Sequence, residues 1–400
     1  MPDIPAIQAA LRQFGFDAWL LGDFRGSNVL ARRILGIPDD AMGSRRWHYL
    51  IPATGEPQKL VHRIESAMLD HLPGQKTIYL KWQEWDAGVT SLARVPLASP
   101  APKIAMEYSP RNANPYISRV DAGTLEVVRA AGAEVVSSGN LIQLFEATWD
   151  DEQWQMHLQA AEHTNGAYDR AWQFIAAEVR ARGSVLETQV QQLIMDHFAE
   201  HGLTTYHPPI VGANAHSGDP HFETCTATDV AIREGDFVLI DLWAKLNKPR
   251  AVYSDLTRVG FVGSVVPEKY EKIFQIVAAA RDAAIRKVRE HMASRSPLAG
   301  WQVDAAAREI ITAAGYGEYF VHRLGHSIGQ EVHGNGANMD GLETREDRLV
   351  LPRCCFSIEP GIYLPEFGVR SEVDVFVNAD YQVRVTGGQV QTSVVPILRQ

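Results

Sequence analysis

Between Val321 and Asp374 the chain sets its charged residues in apolar or glycine-rich frames. His322, His326 and His333 fall in Val-His-Arg-Leu-Gly-His-Ser-Ile-Gly-Gln-Glu-Val-His, Glu359 falls in Phe-Ser-Ile-Glu-Pro-Gly, and Arg370, Glu372 and Asp374 fall in Gly-Val-Arg-Ser-Glu-Val-Asp-Val. An unpaired carboxylate buried in such a run costs several kcal/mol, so a partner is required. With three imidazoles close by, a metal ion is a chemically apt partner.

Further acids stand upstream. Asp241 closes Phe-Val-Leu-Ile-Asp, and Asp255 sits in Val-Tyr-Ser-Asp-Leu-Thr-Arg-Val. The polar link Ala-Lys-Leu-Asn-Lys-Pro-Arg between the two runs predicts a hairpin that brings these aspartates onto neighbouring strands. Like charges that close need a cation between them to stay ionised. Either residue alone reads equally well as a strand-end or turn aspartate; the set of four acids is what favours a metal site. Asp241, Asp255, Glu359 and Glu372 carry four negative charges, which two divalent cations would balance, and His326 would add a neutral nitrogen. An oxygen-rich set with one nitrogen points to manganese first, with cobalt, iron(II) or zinc as alternatives. Two such ions, about 3.5–4 Å apart, activate water and polarise a carbonyl for hydrolysis. Strand alternation places Arg370, Glu372 and Asp374 on one face, with Arg370 able to orient or neutralise a neighbouring carboxylate without touching the metal.

Together these segments resemble the pita-bread metallopeptidases. The matching motifs are Leu-Gly-His326-Ser-Ile-Gly with His333 seven residues on, Ile-Glu359-Pro-Gly-Ile-Tyr, Val-Arg370-Ser-Glu372, the Ile-Asp241 strand and Ser-Asp255-Leu-Thr-Arg258, in the family's order. Within that family the chain is most similar to the Xaa-Pro group, the prolidases and aminopeptidases P, which also carry an N-terminal domain of this size. The resemblance is close from about residue 150 onward and holds only in outline before it. It implies that Asp241, Asp255, His326, Glu359 and Glu372 hold two divalent metal ions, with Asp255 and Glu372 bridging both and Glu359 also moving the proton of the attacking water. It implies further that His221 lies on the substrate side and that His322 and His333 line the scissile-bond and proline pocket. Each of these three histidines reads otherwise as an ordinary surface or core residue. The chain departs from the family at Trp243, where a glycine is usual, at Phe222 in place of a tyrosine, at Asn335-Gly336 after His333, and in a longer link from Asp241 to Asp255. These departures bear on the substrate pocket and leave the ligand set intact.

The elements that must position these residues form two domains, as 400 residues predict. Residues 1–147 alternate short apolar runs with helical patterns, an α/β pattern without a phosphate loop or dinucleotide fingerprint. Strands are expected at 17–21, 47–52, 58–62, 77–80, 103–106 and 133–136, and helices at 4–14 and 118–131. Residues 148–400 begin with helices at 151–182 and 185–201. Strands at 206–211, 237–243 and 252–262, helices at 268–292 and 303–314, and the glycine-punctuated strands of the motif region follow. The expected fold class is therefore an α/β N-terminal domain, creatinase-like by resemblance, plus an α+β pita-bread C-terminal catalytic domain. The Arg45-Arg46-Trp47 step and Trp82/Trp85 are interface candidates, with core placement the more ordinary reading.

A net charge of −10 and pI near 5.8 argue against a nucleic-acid binder, which usually carries a basic face, and give no reason for attraction to an anionic membrane. No apolar run reaches the roughly 18 residues of a membrane span. The N-terminus lacks a signal-peptide pattern, and three cysteines make neither a disulfide framework nor a Cys-x-x-Cys site. The expected setting is the cytoplasm. The expected activity is Xaa-Pro dipeptide hydrolysis by a homodimer, a prolidase. Aminopeptidase P activity on longer peptides, a non-catalytic binding protein on the same fold, and a metal-free creatinase-type hydrolase are the rivals; loss of ligands would mark the last two, and all five ligand positions are filled.

Overall fold

The computed structural model describes residues 2–38, 40–95 and 101–399. The chain divides into two compact units, Met1–Glu146 and Ala147–Gln400.

The first unit is an α/β sandwich. Its elements are α1 (Ile4–Phe14), β1 (Ala18–Asp23), α2 (Val29–Ile34), β2 (Trp47–Pro52), β3 (Gln58–His62), β4 (Gln75–Tyr79), α3 (Trp82–Arg94), β5 (Lys103–Met106), α4 (Ala122–Ala130), β6 (Glu134–Ser137) and the single turn α5 (Gly139–Ile142). The sheet order is β4-β3-β2-β1-β5-β6, with β2 antiparallel to both neighbours and the other pairings parallel. Helix α4 starts later than residue 118 because Asp121 caps it, its carboxylate accepting from Thr124 N–H at 2.9 Å. Trp47 and Trp85 are buried in the two cores on either face of the sheet, so they are packing residues; Trp82 is 68% exposed.

The second unit opens with α6 (Asp151–Arg182). Asp150 and Gln153 form a reciprocal cap at its start, and Gly183 ends it at φ 81°. Next come β7 (Val185–Leu186), α7 (Glu187–Glu200), β8 (Leu203–Thr204), β9 (Ile210–Ala213), β10 (Ala231–Ile232), β11 (Phe237–Leu246) and β12 (Ser254–Phe261). Pro208 and Pro209 lack the N–H a strand needs, which is why β9 begins after the expected position at Tyr206. Helices α8 (Glu268–Ser294) and α9 (Gly300–Ala313) follow, then β13 (Ser327–Ile328), β14 (Cys355–Ile358), β15 (Gly361–Tyr363), β16 (Gly368–Arg370), β17 (Val373–Val377), β18 (Val383–Thr386) and β19 (Val395–Pro396). One sheet runs β19-β12-β11-β8 with β9 also on β11; a second runs β13-β14-β17-β18; β15 and β16 form a ribbon. Helix α6 packs on β11 and β12, and α8 packs on β14, β15, β16 and β18. Apolar residues of these helices, such as Tyr168, Trp172, Phe274 and Val277, are almost fully buried in the cores beneath the sheets. Each such side chain contributes roughly 1.5–3 kcal/mol of burial, enough to hold polar strand ends in fixed places.

Candidate metal and substrate site

The β11–β12 hairpin sets the first two acids. Asp241 faces Thr257 across the pair and Asp255 faces Trp243. The two aspartates are thus diagonal neighbours on one face, with Trp243 beside them. The third and fourth acids come from the other end of the unit. Glu359 follows β14, and Glu372 falls in the step between β16 and β17. His326 precedes β13, whose Ser327 pairs with Phe356 of β14.

These positions meet at one cavity of about 420 Å³. Asp241, Asp255, His326, Glu359, Glu372, His221, His322, His333 and Arg370 all line it. The structure therefore brings together every residue singled out above for a metal or substrate role.

The expectation for Asp374 fails. The extended segment leaves the β15–β16 ribbon at Arg370 and joins the four-stranded sheet at Val373, so alternation does not carry through Ser371 and Glu372. Asp374 is fully buried outside the cavity lining. Its carboxylate accepts from Asp255 N–H (3.1 Å) and Ser254 Oγ (3.1 Å), and His157 Nε2 lies 3.9 Å away. It holds the strand that presents Asp255.

Several contacts bear on whether a cation fits. Ligand atoms of Asp255, His326 and Glu372 all lie within 4.8 Å of one another. His326 Nε2 is 3.4 Å from both Asp255 Oδ2 and Glu359 Oε1. His326 Nδ1 faces the Ser327 carbonyl at 3.2 Å, so the proton belongs there and the Nε2 lone pair points at the acids. Asp241 Oδ1 is buried without a hydrogen-bond partner. Burial, then the neighbouring acids, push Asp255 and Glu372 well above the usual carboxylate range; burial also raises Glu359, against the pull of His326. A carboxylate set so destabilised by its own charge, with an orphan oxygen and an aimed lone pair, is the donor chemistry that divalent cations satisfy. The residues fit a metal.

Thr257, Ser357 and Tyr363, to which motif reading gave no role, complete the frame around Arg370. Arg370 is ion-paired with Asp241 Oδ2, and it donates to Thr257 Oγ1 (3.0 Å) and Tyr363 Oη (2.9 Å). Thr257 in turn donates to Glu372 at 2.8 Å. Ser357 Oγ donates to Glu359 (3.0 Å) and accepts from His326 N–H (2.9 Å). His322 Nδ1 faces the Arg323 carbonyl at 2.6 Å, so its Nε2 accepts from Tyr363 Oη at 2.7 Å. Burial first and the Arg370 charge second push His322 down to about 3, which keeps it neutral. A Tyr two residues past Glu-Pro-Gly in sequence gave no hint of this, because its register against Gly368 is set only by pairing. His221 is exposed at the rim, and His333 meets His326 edge to face with ring centroids 4.4 Å apart. Phe222 lines the cavity and stacks on His216 at 4.1 Å. Trp243, with Tyr206 and His207 within 6.2 Å of its ring, makes one wall of the cavity aromatic.

Mostly antiparallel sheets wrapped by helices, with acids and one imidazole converging from strand ends, define a pita-bread metallohydrolase unit, which follows the α/β unit in sequence. Residues 155–379 match the model of metallopeptidase family M24, and the chain belongs to that family. The Bacillus subtilis protein YkvY is 31% identical over 285 residues, 69% of this chain and 72% of that one. A Pyrococcus furiosus protein named Xaa-Pro dipeptidase is 35% identical over 178 residues, 44% of this chain and 46% of its own length. The crystal structure of dipeptidase PepE from Mycobacterium ulcerans shares the fold at TM-score 0.65 and 23% identity, covering 98% of this chain and 96% of that one. No helix among the described residues is long and apolar enough to cross a membrane.

Proposed function

We propose that the protein hydrolyses the bond before proline in Xaa-Pro dipeptides. The observation that carries this is the convergence of Asp241, Asp255, His326, Glu359 and Glu372 with His221, His322 and His333 on one cavity small enough for a dipeptide. The named activity of the Pyrococcus furiosus relative supports it.

Asp241, Asp255, His326, Glu359 and Glu372 would hold two divalent ions, manganese first and cobalt, iron(II) or zinc otherwise. When bound, the ions would polarise the scissile carbonyl and make water a nucleophile at neutral pH. Around them the chain does the rest. Glu359, raised by burial, takes the proton from the attacking water and returns it to the leaving proline nitrogen. A bond to proline carries no N–H, so the substrate is held by its ends and ring. His322, kept neutral and hydrogen-bonded to Tyr363, can face the scissile unit without a charge, and His333 and His221 flank it. Arg370 fixes Asp241, Tyr363 and Thr257 in place.

The first 146 residues would form a creatinase-type domain, supported by the six-stranded sheet. Assembly as a homodimer in the cytoplasm completes the reading; light scattering should give twice the chain mass. After loading with manganese, Xaa-Pro dipeptides should be cleaved and Xaa-Pro-Xaa tripeptides spared. Faster release of the first residue from tripeptides would make the protein an aminopeptidase P, and no cleavage of either would leave a binding protein.

A further inference from the structure

The first unit contains a larger cavity than the catalytic one, about 870 Å³, and it lies in the ligand-binding range. Its place follows from the topology. Strands β1, β3, β4, β5 and β6 run one way, and the chain leaves β1 toward β2 but leaves β5 toward β6 on the other side. In open α/β sheets, ligands settle outside the carboxyl ends of the strands at such a switch point. The cavity walls are drawn from those ends: Gly22 and Asp23 closing β1, His62 closing β3, Tyr79 closing β4 with Leu80 next, and Met106 closing β5 with Glu107 next.

The charges on this wall are unequal in their attachments. Every lining acid is already engaged. Asp23 pairs with Arg32 and accepts from Gly26 and Asn28 N–H; Glu107 accepts from Trp19, Asn28 and Ser138; Asp121 accepts from Thr124. The guanidinium groups of Arg25 and Arg119 have no hydrogen-bonded or ion-paired partner among the described residues, and none of the lining acids pairs with Arg46. Arg46 stacks 3.8 Å over the Trp85 ring and meets the Tyr79 hydroxyl, which leaves its charge without a carboxylate. Arg25 is kept at the rim in a left-handed backbone conformation, φ 60°, that costs a non-glycine residue about 1 kcal/mol.

A buried donor is also unspent. Trp85 Nε1–H donates to His48 Nε2 at 3.1 Å, so the neutral ring carries its proton on Nδ1. Nδ1 is buried without a partner, and His48 lines the cavity while only 5% exposed. Burial and then the Arg46 charge push this imidazole down to about 4. Beside these polar groups the lining exposes Trp82 (68%), Phe24 (48%) and Leu80 (46%).

We propose that this cavity is a second ligand site, one that takes a small anion carrying a flat apolar ring. These guanidinium groups and the His48 Nδ1–H meet the anionic group, and Trp82, Phe24 and Leu80 meet the ring. The site is separate from the peptidase cavity and does not depend on the peptidase reading.

The test is calorimetric titration of the full-length, metal-loaded protein with 1-naphthoate, with neutral 1-naphthylmethanol and with inorganic phosphate. Naphthoate should bind once per chain, at least tenfold more tightly than either of the others. Arg46→Gln and Arg119→Gln should each weaken it by roughly tenfold, the scale of one lost charge-assisted hydrogen bond, while peptidase turnover stays within twofold. Should Arg46→Gln fail to fold because it leaves Trp85 bare, Arg119→Gln at the exposed rim gives the same reading alone. Equal binding of naphthylmethanol or phosphate overturns the proposal, as does binding that both variants leave unchanged. Naphthoate binding that is lost in Glu372→Gln but kept in Arg119→Gln places the anion in the peptidase cavity and overturns it as well.

Discussion

Each unit of this protein sets a polar cavity at the ends of β-strands, and the two cavities are opposite in sign. In the second unit the acids are in surplus: Asp255, Glu359 and Glu372 crowd one another, Asp241 keeps an orphan oxygen, and Arg370 is hydrogen-bonded into the cluster. In the first unit each acid has its donors, and the surplus lies with Arg25, Arg46 and Arg119. The contrast shows that the unpaired remainder tells what a polar cavity wants, more than its net charge or size does. Carboxylates in excess call for a cation, and guanidinium groups in excess call for an anion.

The largest effect should come from removing one member of the acid surplus. Asp255→Asn should lose bound metal, measured by elemental analysis, together with at least about 10³-fold in peptidase activity, the upper scale for losing a preorganised electrostatic group. Retention of metal and turnover would break the cation side of the comparison. Next, His333→Ala removes an imidazole that touches His326, a proposed ligand, and is not itself proposed as one. It should cut kcat by roughly 10²-fold with metal content unchanged, and loss of metal would move His333 among the ligands.

A smaller change tests the frame. Tyr363→Phe deletes the hydroxyl that receives Arg370 and donates to His322. The expected outcome is a kcat lowered by about tenfold and a stability loss of about 1 kcal/mol, the net worth of a hydrogen bond, with both ends of the relay still present. A KM effect without a kcat effect would assign the hydroxyl to binding alone.

The last effect concerns the first unit and acid. His48, held near 4 by burial, stays neutral when folded, whereas the unfolded ring takes a proton near 6.5. The unfolded state therefore binds more protons between those values, and stability falls as pH drops through that window, by at most about 3 kcal/mol. The His48 ring resonances should not titrate between pH 7 and 5 in an NMR pH series. A midpoint near 6.5 would mean that the ring is solvated, and the unspent Nδ1–H donor would be lost with it.

Much of this was legible from residues alone. Helices α1 and α6 and strands β2, β3 and β5 fall where apolar periodicity and caps place them, since those signals are local. The convergence of the acids could be anticipated because a buried carboxylate without a partner is too costly to leave unexplained, and because a hairpin ties Asp241 to Asp255 within one short link. What sequence could not decide is which face a residue shows once its strand changes sheets. Asp374 was expected in the cavity, yet the break at Ser371 and Glu372 turns it behind Asp255. For Trp47 and Trp85 the sequence left interface and core both open, with core the more ordinary reading, and packing on the two faces of the sheet decided for the core. The Arg370–Tyr363–His322 relay, the Thr257 and Ser357 props and the arginine-lined cavity of the first unit join residues far apart in the chain. Alternation and propensity act over a few residues, while these groups are brought together by strand register and sheet order, which only the tertiary packing sets.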